Sequence, residues 1–84
     1  MSWYIDVDEI DDGYAVDAYN GGGNLDYTKR RCNHRFRMLD DDGMMYYKGY
    51  SDDSSSFEPL DDFGMPNAGC TDIQYWENGK WESL

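Results

Sequence analysis

The chain has 84 residues, of which 18 are acidic and seven are lysine or arginine, giving a net charge of −11. A chain of this length is expected to form one compact domain, residues 1–84, and a field of this sign repels nucleic acids and membrane surfaces while it attracts basic partners. No apolar run approaches the roughly 18 residues that a membrane-spanning helix needs, so we expect a soluble, cytoplasmic protein. Aromatic residues make up 17% of the sequence, which favours a folded domain with an aromatic core over a disordered acidic chain.

The first twenty residues predict a β-hairpin. In the stretch SWYIDVDEI, apolar residues alternate with polar ones as in a strand with one buried face, at Trp3, Ile5 and Val7. The turn sequence DDG follows at residues 11–13, where glycine permits positive φ and aspartate can hydrogen-bond to nearby backbone. The segment YAVDAY, residues 14–19, then predicts the returning strand.

The middle of the chain predicts a second hairpin. The glycine-rich residues 20–24 indicate a loop, and residues 25–33 (LDYTKRRCN) are compatible with either a loop or an irregular strand. Two strand-like runs, residues 34–39 and 44–50, then flank the sequence DDDG at residues 40–43. Asp-Gly between apolar runs favours a tight turn with positive φ.

One short helix and a last hairpin complete the prediction. Apolar residues recur at helical spacing in FEPLDDFG, at Phe57, Leu60 and Phe63. Ser56 can cap this helix, and Gly64 and Pro66 are expected to end it. Residues 70–84 then carry two strand-like runs around Asn78-Gly79, a strong signal for a two-residue hairpin turn. The predicted fold is α+β: a small twisted antiparallel β-sheet of about five to six strands with one short helix packed on it.

The chain's only two cysteines, Cys32 and Cys70, are expected to be reduced residues of the core. With His34 they would supply three zinc ligands, whereas a structural zinc site needs four, usually in two close pairs. Acidic residues near the first turn suggest a calcium loop, at Asp6, Asp8, Asp11 and Asp12. The fifth and twelfth positions of such a loop would be Ile10 and Asp17, however, which departs from the EF-hand pattern. We therefore expect no metal and no cofactor.

Catalysis is not expected either. The single histidine has no serine or cysteine in a nucleophile context, and no glycine-rich loop precedes a helix with the lysine of a phosphate loop. A chain of this length also has little room for a substrate cleft. We expect a binding protein without catalytic residues.

The acidic residues are more numerous than solubility requires, since they repel one another and lower stability. Alternate residues of a strand project about 6.6 Å apart on one face, which is comparable to the spacing of phosphates along a nucleic-acid strand. Carboxylates so placed accept the same bidentate arginine contacts as phosphates. The candidate partner-binding acids are Asp6, Asp8, Asp11, Asp12, Asp40, Asp41, Asp42, Asp52, Asp53, Asp61 and Asp62. The candidate aromatic anchors are Tyr46, Tyr47, Tyr50 and Trp76.

Five of the seven basic residues lie within nine positions, residues 29–37 (KRRCNHRFR). Their interleaving with aromatic residues is a feature of nucleic-acid-binding surfaces, but the surrounding negative charge opposes that function. The favoured interpretation is internal: these cations neutralise neighbouring carboxylates across the sheet, or give the molecule a charge dipole. We expect no direct nucleic-acid binding.

The combination of small size, strong acidity, aromatic richness and a compact antiparallel sheet resembles the small phage-encoded anti-CRISPR proteins of the DNA-mimic type. The stretches FRMLDDDGMMYYKGY and FEPLDDFGMPNAGCT, within residues 34–75, are also similar to short proteins carried by phages and prophages. The resemblance implies a partner that is a CRISPR effector complex in the cytoplasm of a bacterial host. Anti-CRISPR proteins share no common motif, so the candidate residues come from the pattern of this sequence alone.

The predicted function is therefore a non-enzymatic inhibitor that binds a basic nucleic-acid-binding protein. The preferred target is a type I surveillance complex, whose access to target DNA and its protospacer-adjacent motif would be blocked by the acidic surface. Two alternatives are a small phage or plasmid accessory protein acting as a structural or protein-interaction module, and an acidic metal-binding domain.

Overall fold

A computed structural model of the chain describes residues 2–9, 18–20 and 24–84. The elements, in chain order, are β1 (Trp3–Asp8), β2 (Ala18–Asn20), α1 (Leu25–Arg31), β3 (His34–Leu39), β4 (Met45–Ser51), a π-helical segment (Leu60–Gly64), α2 (Met65–Ala68), β5 (Asp72–Glu77) and β6 (Lys80–Ser83). The strands form one sheet in the order β2-β1-β4-β3-β5-β6, and every neighbouring pair is antiparallel. The predicted α+β class and antiparallel sheet are confirmed.

The two hairpins with clear turn signals form as predicted. Asn78 and Gly79 join β5 to β6 with φ angles of 55° and 80°, the positive values that a two-residue turn between twisted strands requires. Gly43 has a φ of 78° in the turn between β3 and β4. Two residues of the predicted returning strand, Ala18 and Tyr19, lie in β2, which is antiparallel to β1; the rest of that strand, residues 14–17, lies outside the described residues. The predicted turn between them, residues 11–13, lies outside the described residues.

A β-bulge interrupts β1 between Ile5 and Val7, where the register against β4 shifts. Trp3 and Ile5 are buried as predicted, but Val7 is only partly buried and pairs with Lys48. The alternation predicted for this strand therefore fails at its last apolar residue. The extra residue of the bulge shifts the alternation by one position, so Val7 and not Asp6 pairs with Lys48.

Residues 25–31 form helix α1, so the prediction of a loop or irregular strand for this segment is wrong. Asn24 caps the helix, because its side-chain oxygen accepts a hydrogen bond from the backbone N–H of Tyr27 at 3.1 Å. Asp26 lies in the first turn, and three cations of the basic cluster lie in the last turn. An acid at the start and cations at the end interact favourably with the helix dipole and so stabilise α1.

The helical segment before β5 continues past its predicted end. Ser56 accepts a hydrogen bond from the backbone N–H of Glu58, as expected for a cap. Gly64 and Pro66 do not end the helix, because the π-helical segment passes directly into α2, where Pro66 occupies the first turn and needs no amide donor. The helix ends at Gly69 instead, which adopts a left-handed φ of 69°. With α1, the described residues contain more helix than the single helix predicted.

The core lies between one face of the sheet and this helical segment. We call this face the covered face; its buried residues, together with those of the segment above it, are Trp3, Ile5, Phe36, Met38, Tyr47, Leu60, Cys70, Ile73 and Tyr75. Phe63 packs its ring against those of Trp3 and Tyr47. Both cysteines are buried free thiols, as predicted. None of the helices in the described residues has the length and apolar character to cross a membrane.

Candidate functional site

One end of the sheet gathers acidic residues from three strands. Because neighbouring strands are antiparallel, the last residues of β1 and β3 and the first residue of β5 reach the same end. We call the acidic residues at this end the turn-end acids: Asp8, Glu9, Asp40, Asp41, Asp42 and Asp72. Lys48 reaches this end of the sheet, where its Nζ lies 3.5 Å from Oε1 of Glu9. This end of the sheet is therefore strongly negative.

Asp40 builds the turn at this end. Its Oδ1 accepts hydrogen bonds from the backbone N–H groups of Asp42 and Met44, both at 2.9 Å, and its Oδ2 accepts one from the hydroxyl of Tyr46 at 2.8 Å. These bonds favour the ionised carboxylate and hold the pKa of Asp40 below its ordinary value. Asp40 is therefore a fixed negative charge that also shapes the turn.

Asp41 and Asp42 are the exposed carboxylates of this turn. Asp41 accepts a hydrogen bond from the hydroxyl of Thr71 at 2.6 Å, which ties the turn to the segment before β5. The backbone of Asp42 is held through Asp40. Hydrogen bonds thus hold the carboxylate of Asp41 and the backbone of Asp42 within the turn.

The other predicted acids lie elsewhere. Asp52 and Asp53 follow β4 at the opposite end of the sheet, roughly 20 Å from the turn-end acids as judged from the seven-residue length of β4. They serve local structure: Asp52 accepts from the backbone N–H of Ser2, and Asp53 accepts from the backbone and hydroxyl groups of Ser55, which lowers the pKa of Asp53. The eleven predicted acids therefore do not form one continuous row.

Two further acids, Asp61 and Asp62, lie exposed on the π-helical segment above the covered face. Asp6 lies on the opposite side of the sheet, where burial raises its pKa although neighbouring cations act in the other direction. Asp11 and Asp12 lie outside the described residues.

The four predicted aromatic anchors also differ in their positions. Tyr47 is a core residue with 4% of its surface exposed, so it is not available to a partner. Tyr46 donates its hydroxyl to Asp40, and Tyr50 stacks on Tyr4 with ring centroids 5.5 Å apart. Trp76 is the most accessible of the four, with 45% of its surface exposed.

The lysine and arginine residues of the basic cluster form no direct ion pairs within the described residues. Salt bridges there involve only His34, Lys48 and Lys80. Neutralisation without direct contact is seen at Asp6: burial raises the pKa of its carboxyl group, and Arg35 and Lys29 oppose that rise. Alternation along β3 instead places Arg35 and Arg37 on the face opposite the core, which we call the open face.

A groove of about 330 Å³ runs along this open face and is lined by Arg35, Arg37, Met45, Lys48, Trp76 and Trp81. Sequence reasoning considered the arginines and Trp76 separately and missed Met45, Lys48 and Trp81. The signal that could have united them is the alternation in each strand together with the strand order. The strand order depends on the non-local pairing of β3 with β5.

The described residues contain no group of three or more histidine, cysteine, aspartate or glutamate side chains that could hold a metal ion. Cys70 is buried in the core. The Sγ of Cys32 lies 3.3 Å from the backbone oxygen of Ser2, and His34 Nδ1 lies 3.0 Å from Glu77 Oε1. These three potential zinc ligands thus have separate structural environments.

No family model matches the chain, and no match was found among curated proteins or solved structures. Functional inference therefore depends on the surfaces described above.

Proposed function

We propose that the protein is a non-enzymatic inhibitor that binds a basic nucleic-acid-binding protein through its turn-end acids. The observation that carries this proposal is the position of the charges along β3: Asp40, Asp41 and Asp42 form the turn beyond its end, whereas its arginines lie within the strand on the open face. A partner surface built to hold DNA phosphates, rich in lysine and arginine, is complementary to such an end.

The proposed partner is a CRISPR effector in the cytoplasm of a bacterial host, with a type I surveillance complex preferred. The protein would then act as an anti-CRISPR protein that covers the surface where the effector holds target DNA and reads its protospacer-adjacent motif. The ordered turn supports this action, because carboxylates fixed before binding lose little conformational entropy when they replace phosphates. The exposed pair Asp41 and Asp42 would make the closest contacts.

The structure reduces the number of acids that one partner surface could contact. Asp52 and Asp53 lie at the other end of β4, and Asp61 and Asp62 lie on the helical segment. We therefore propose the turn-end acids as the inhibitory surface and assign the remaining described acids no direct contact.

The test compares two double variants that remove the same charge from different places. Asp41→Asn with Asp42→Asn changes the proposed surface, whereas Asp61→Asn with Asp62→Asn is the matched control. Asparagine retains an oxygen that can accept the bond from Thr71. Binding to a purified type I surveillance complex is measured at several salt concentrations, with and without duplex DNA that carries the recognition motif.

We expect the wild-type protein to bind less tightly as salt rises and to compete with the DNA. The turn variant should bind at least about tenfold more weakly, while the helix variant stays within about twofold, because charge at the contact contributes more than distant charge. Equal losses in the two variants would contradict the turn-end surface. Binding that persists in high salt and ignores DNA would instead favour the protein-interaction module.

A further inference from the structure

The groove on the open face combines cations with accessible indole rings. Arg35 and Arg37 are alternate residues of β3, so their side chains leave the sheet about 6.6 Å apart. Lys48 is the direct cross-strand partner of Arg37. Trp76 and Trp81 are also cross-strand partners, and their rings meet edge to face at 5.3 Å between centroids. Three positive charges thus lie beside an aromatic platform.

A hydrogen-bonded chain holds the guanidinium group of Arg37 in place. Its Nε donates to the side-chain oxygen of Gln74 at 2.7 Å, and its Cζ lies 4.4 Å from the ring centroid of Trp81. The amide nitrogen of Gln74 donates in turn to Asp72 and Ser83. The terminal nitrogens of Arg37, which carry four of its five N–H donors, make no protein hydrogen bond that competes with a ligand in the described structure.

The described residues place four cations and three acids on or near the open face, so this part of the surface lacks the strong negative charge of the chain as a whole. Lys29 is a fourth cation near this face, where its Nζ lies 5.6 Å from the ring centroid of Tyr4. The described acids that face these cations are Asp6, Glu9 and Asp72. The backbone of Asp41 lies about 13 Å from that of Arg37 along the strand direction, and Asp42 follows it. This distance exceeds the Debye length of about 8 Å at physiological ionic strength. Solvent and salt therefore screen much of their effect on the groove.

We propose that this groove binds a short stretch of single-stranded nucleic acid. A base stacks on the exposed face of Trp76, and neighbouring phosphates accept hydrogen bonds from Arg35 and Arg37. The indole rings favour this occupant over an acidic peptide, because carboxylates would satisfy the arginines but leave the aromatic platform unused. The proposal departs from the sequence-based expectation of no direct nucleic-acid contact and does not depend on the inhibitor proposal.

The probes are fluorescein-labelled ten-nucleotide oligomers, dT10 and rU10, with binding measured by fluorescence anisotropy on the full chain. With about three phosphates neutralised, the affinity should fall roughly 20-fold between 50 mM and 200 mM salt. Tighter binding of one oligomer would identify DNA or RNA as the preferred source of the strand. A decaglutamate peptide carrying the same label tests the alternative occupant.

Three aromatic variants and two arginine variants separate the contribution of the groove from general effects of mutation. Trp76→Ala should weaken oligomer binding about 5- to 150-fold, whereas Trp76→Phe retains a stacking ring and most of the affinity. Phe57→Ala, an exposed aromatic residue before the helical segment, should have no effect. Arg35→Ala should weaken binding and reduce the salt slope, while Arg30→Ala on α1 removes the same charge with a much smaller change.

Gln74→Leu leaves the net charge unchanged but removes the hydrogen bond that holds Arg37. It should therefore weaken oligomer binding while changing the salt slope less than Arg35→Ala does. Thermal denaturation of each variant establishes that it is folded. Failure of both oligomers to bind the wild-type protein at 50 mM salt would overturn the proposal, as would equal losses for Trp76→Ala and Phe57→Ala. Binding of decaglutamate alone would also overturn it. The Asp41→Asn, Asp42→Asn variant should bind the oligomers at least as well as the wild type, which distinguishes this test from that of the inhibitor.

Discussion

Gly49 lies at the centre of the sheet, where there is no room for a side chain. It pairs with Ile5 on one side and with Phe36 on the other. A methyl group added at Gly49 would collide with the backbone oxygen of Tyr4 and would lie 2.8 Å from Cζ of Phe36. The first obstacle is backbone, so relief requires β1 to move away from β4.

We expect Gly49→Ala to lower the free energy of unfolding by about 3 kcal/mol, near the upper end of the range for overpacked cores. A domain of this length has a total stability of about 4–13 kcal/mol, so the variant should fold but melt about 12–24 °C lower. Urea denaturation followed by tryptophan fluorescence gives the free energy, and calorimetry gives the melting temperature.

Gly43→Ala is the control for this prediction. Gly43 has open space around its Cα but a φ of 78°, so alanine there should cost only about 1 kcal/mol of backbone strain. A Gly49→Ala variant within 0.5 kcal/mol of wild type would refute the packing of β1, β4 and Phe36 described here.

Three further predictions concern buried and fixed polar groups. Tyr75→Phe removes the 2.8 Å hydrogen bond to the backbone oxygen of Ser56 and should lower the free energy of unfolding by about 1–2 kcal/mol, measured by urea denaturation. An unchanged urea midpoint would show that the carbonyl group of Ser56 finds another donor. Hydrogen bonds from Met44, Tyr46 and Asp42 lower the folded pKa of Asp40, so its contribution to stability is present above its unfolded pKa and is lost as pH falls through the folded pKa. The Asp40→Asn variant should therefore lose less stability than the wild type as pH falls below about 5, measured by urea denaturation at each pH. Parallel stability curves for the two proteins would contradict this prediction. Burial raises the pKa of both Cys32 and Cys70 to about 11. A thiol reagent at about pH 8 should therefore react slowly with the native protein and rapidly with the protein unfolded in urea. Fast reaction of either thiol in the native protein would refute its burial.

The strands predicted best are those with local turn chemistry. Asn78-Gly79 and the DDDG sequence specify their hairpins with a few adjacent residues, so no knowledge of distant contacts is needed. Helix α1 was missed although Asn24 and Asp26 are helix-start signals, because its short, polar sequence has little apolar periodicity. The end of the second helical segment was missed because α2 starts directly after the π-helical segment. Pro66 therefore lies in the first turn of a helix, where proline is tolerated, and does not end one.

The candidate surfaces required information that no local pattern contains. Arg37 and Trp81 are far apart in sequence and meet only because β5 pairs with β3 and β6 pairs with β5. The separation of Asp52 from Asp41 is different, because it follows from the length of β4 alone and is already implied by the predicted strand between them. Residue types were thus readable from the sequence, but their grouping into surfaces was not.

The strand order also has a consequence for how the protein is made. β1 lies between β2 and β4, so its second edge stays without a partner until residues 45–51 have been synthesised. The β3–β4 hairpin can form as soon as it leaves the ribosome, whereas the N-terminal hairpin must wait and then dock onto it. Folding on the ribosome should therefore begin with the β3–β4 hairpin, so that the first-made strand joins a sheet that a later part of the chain has started.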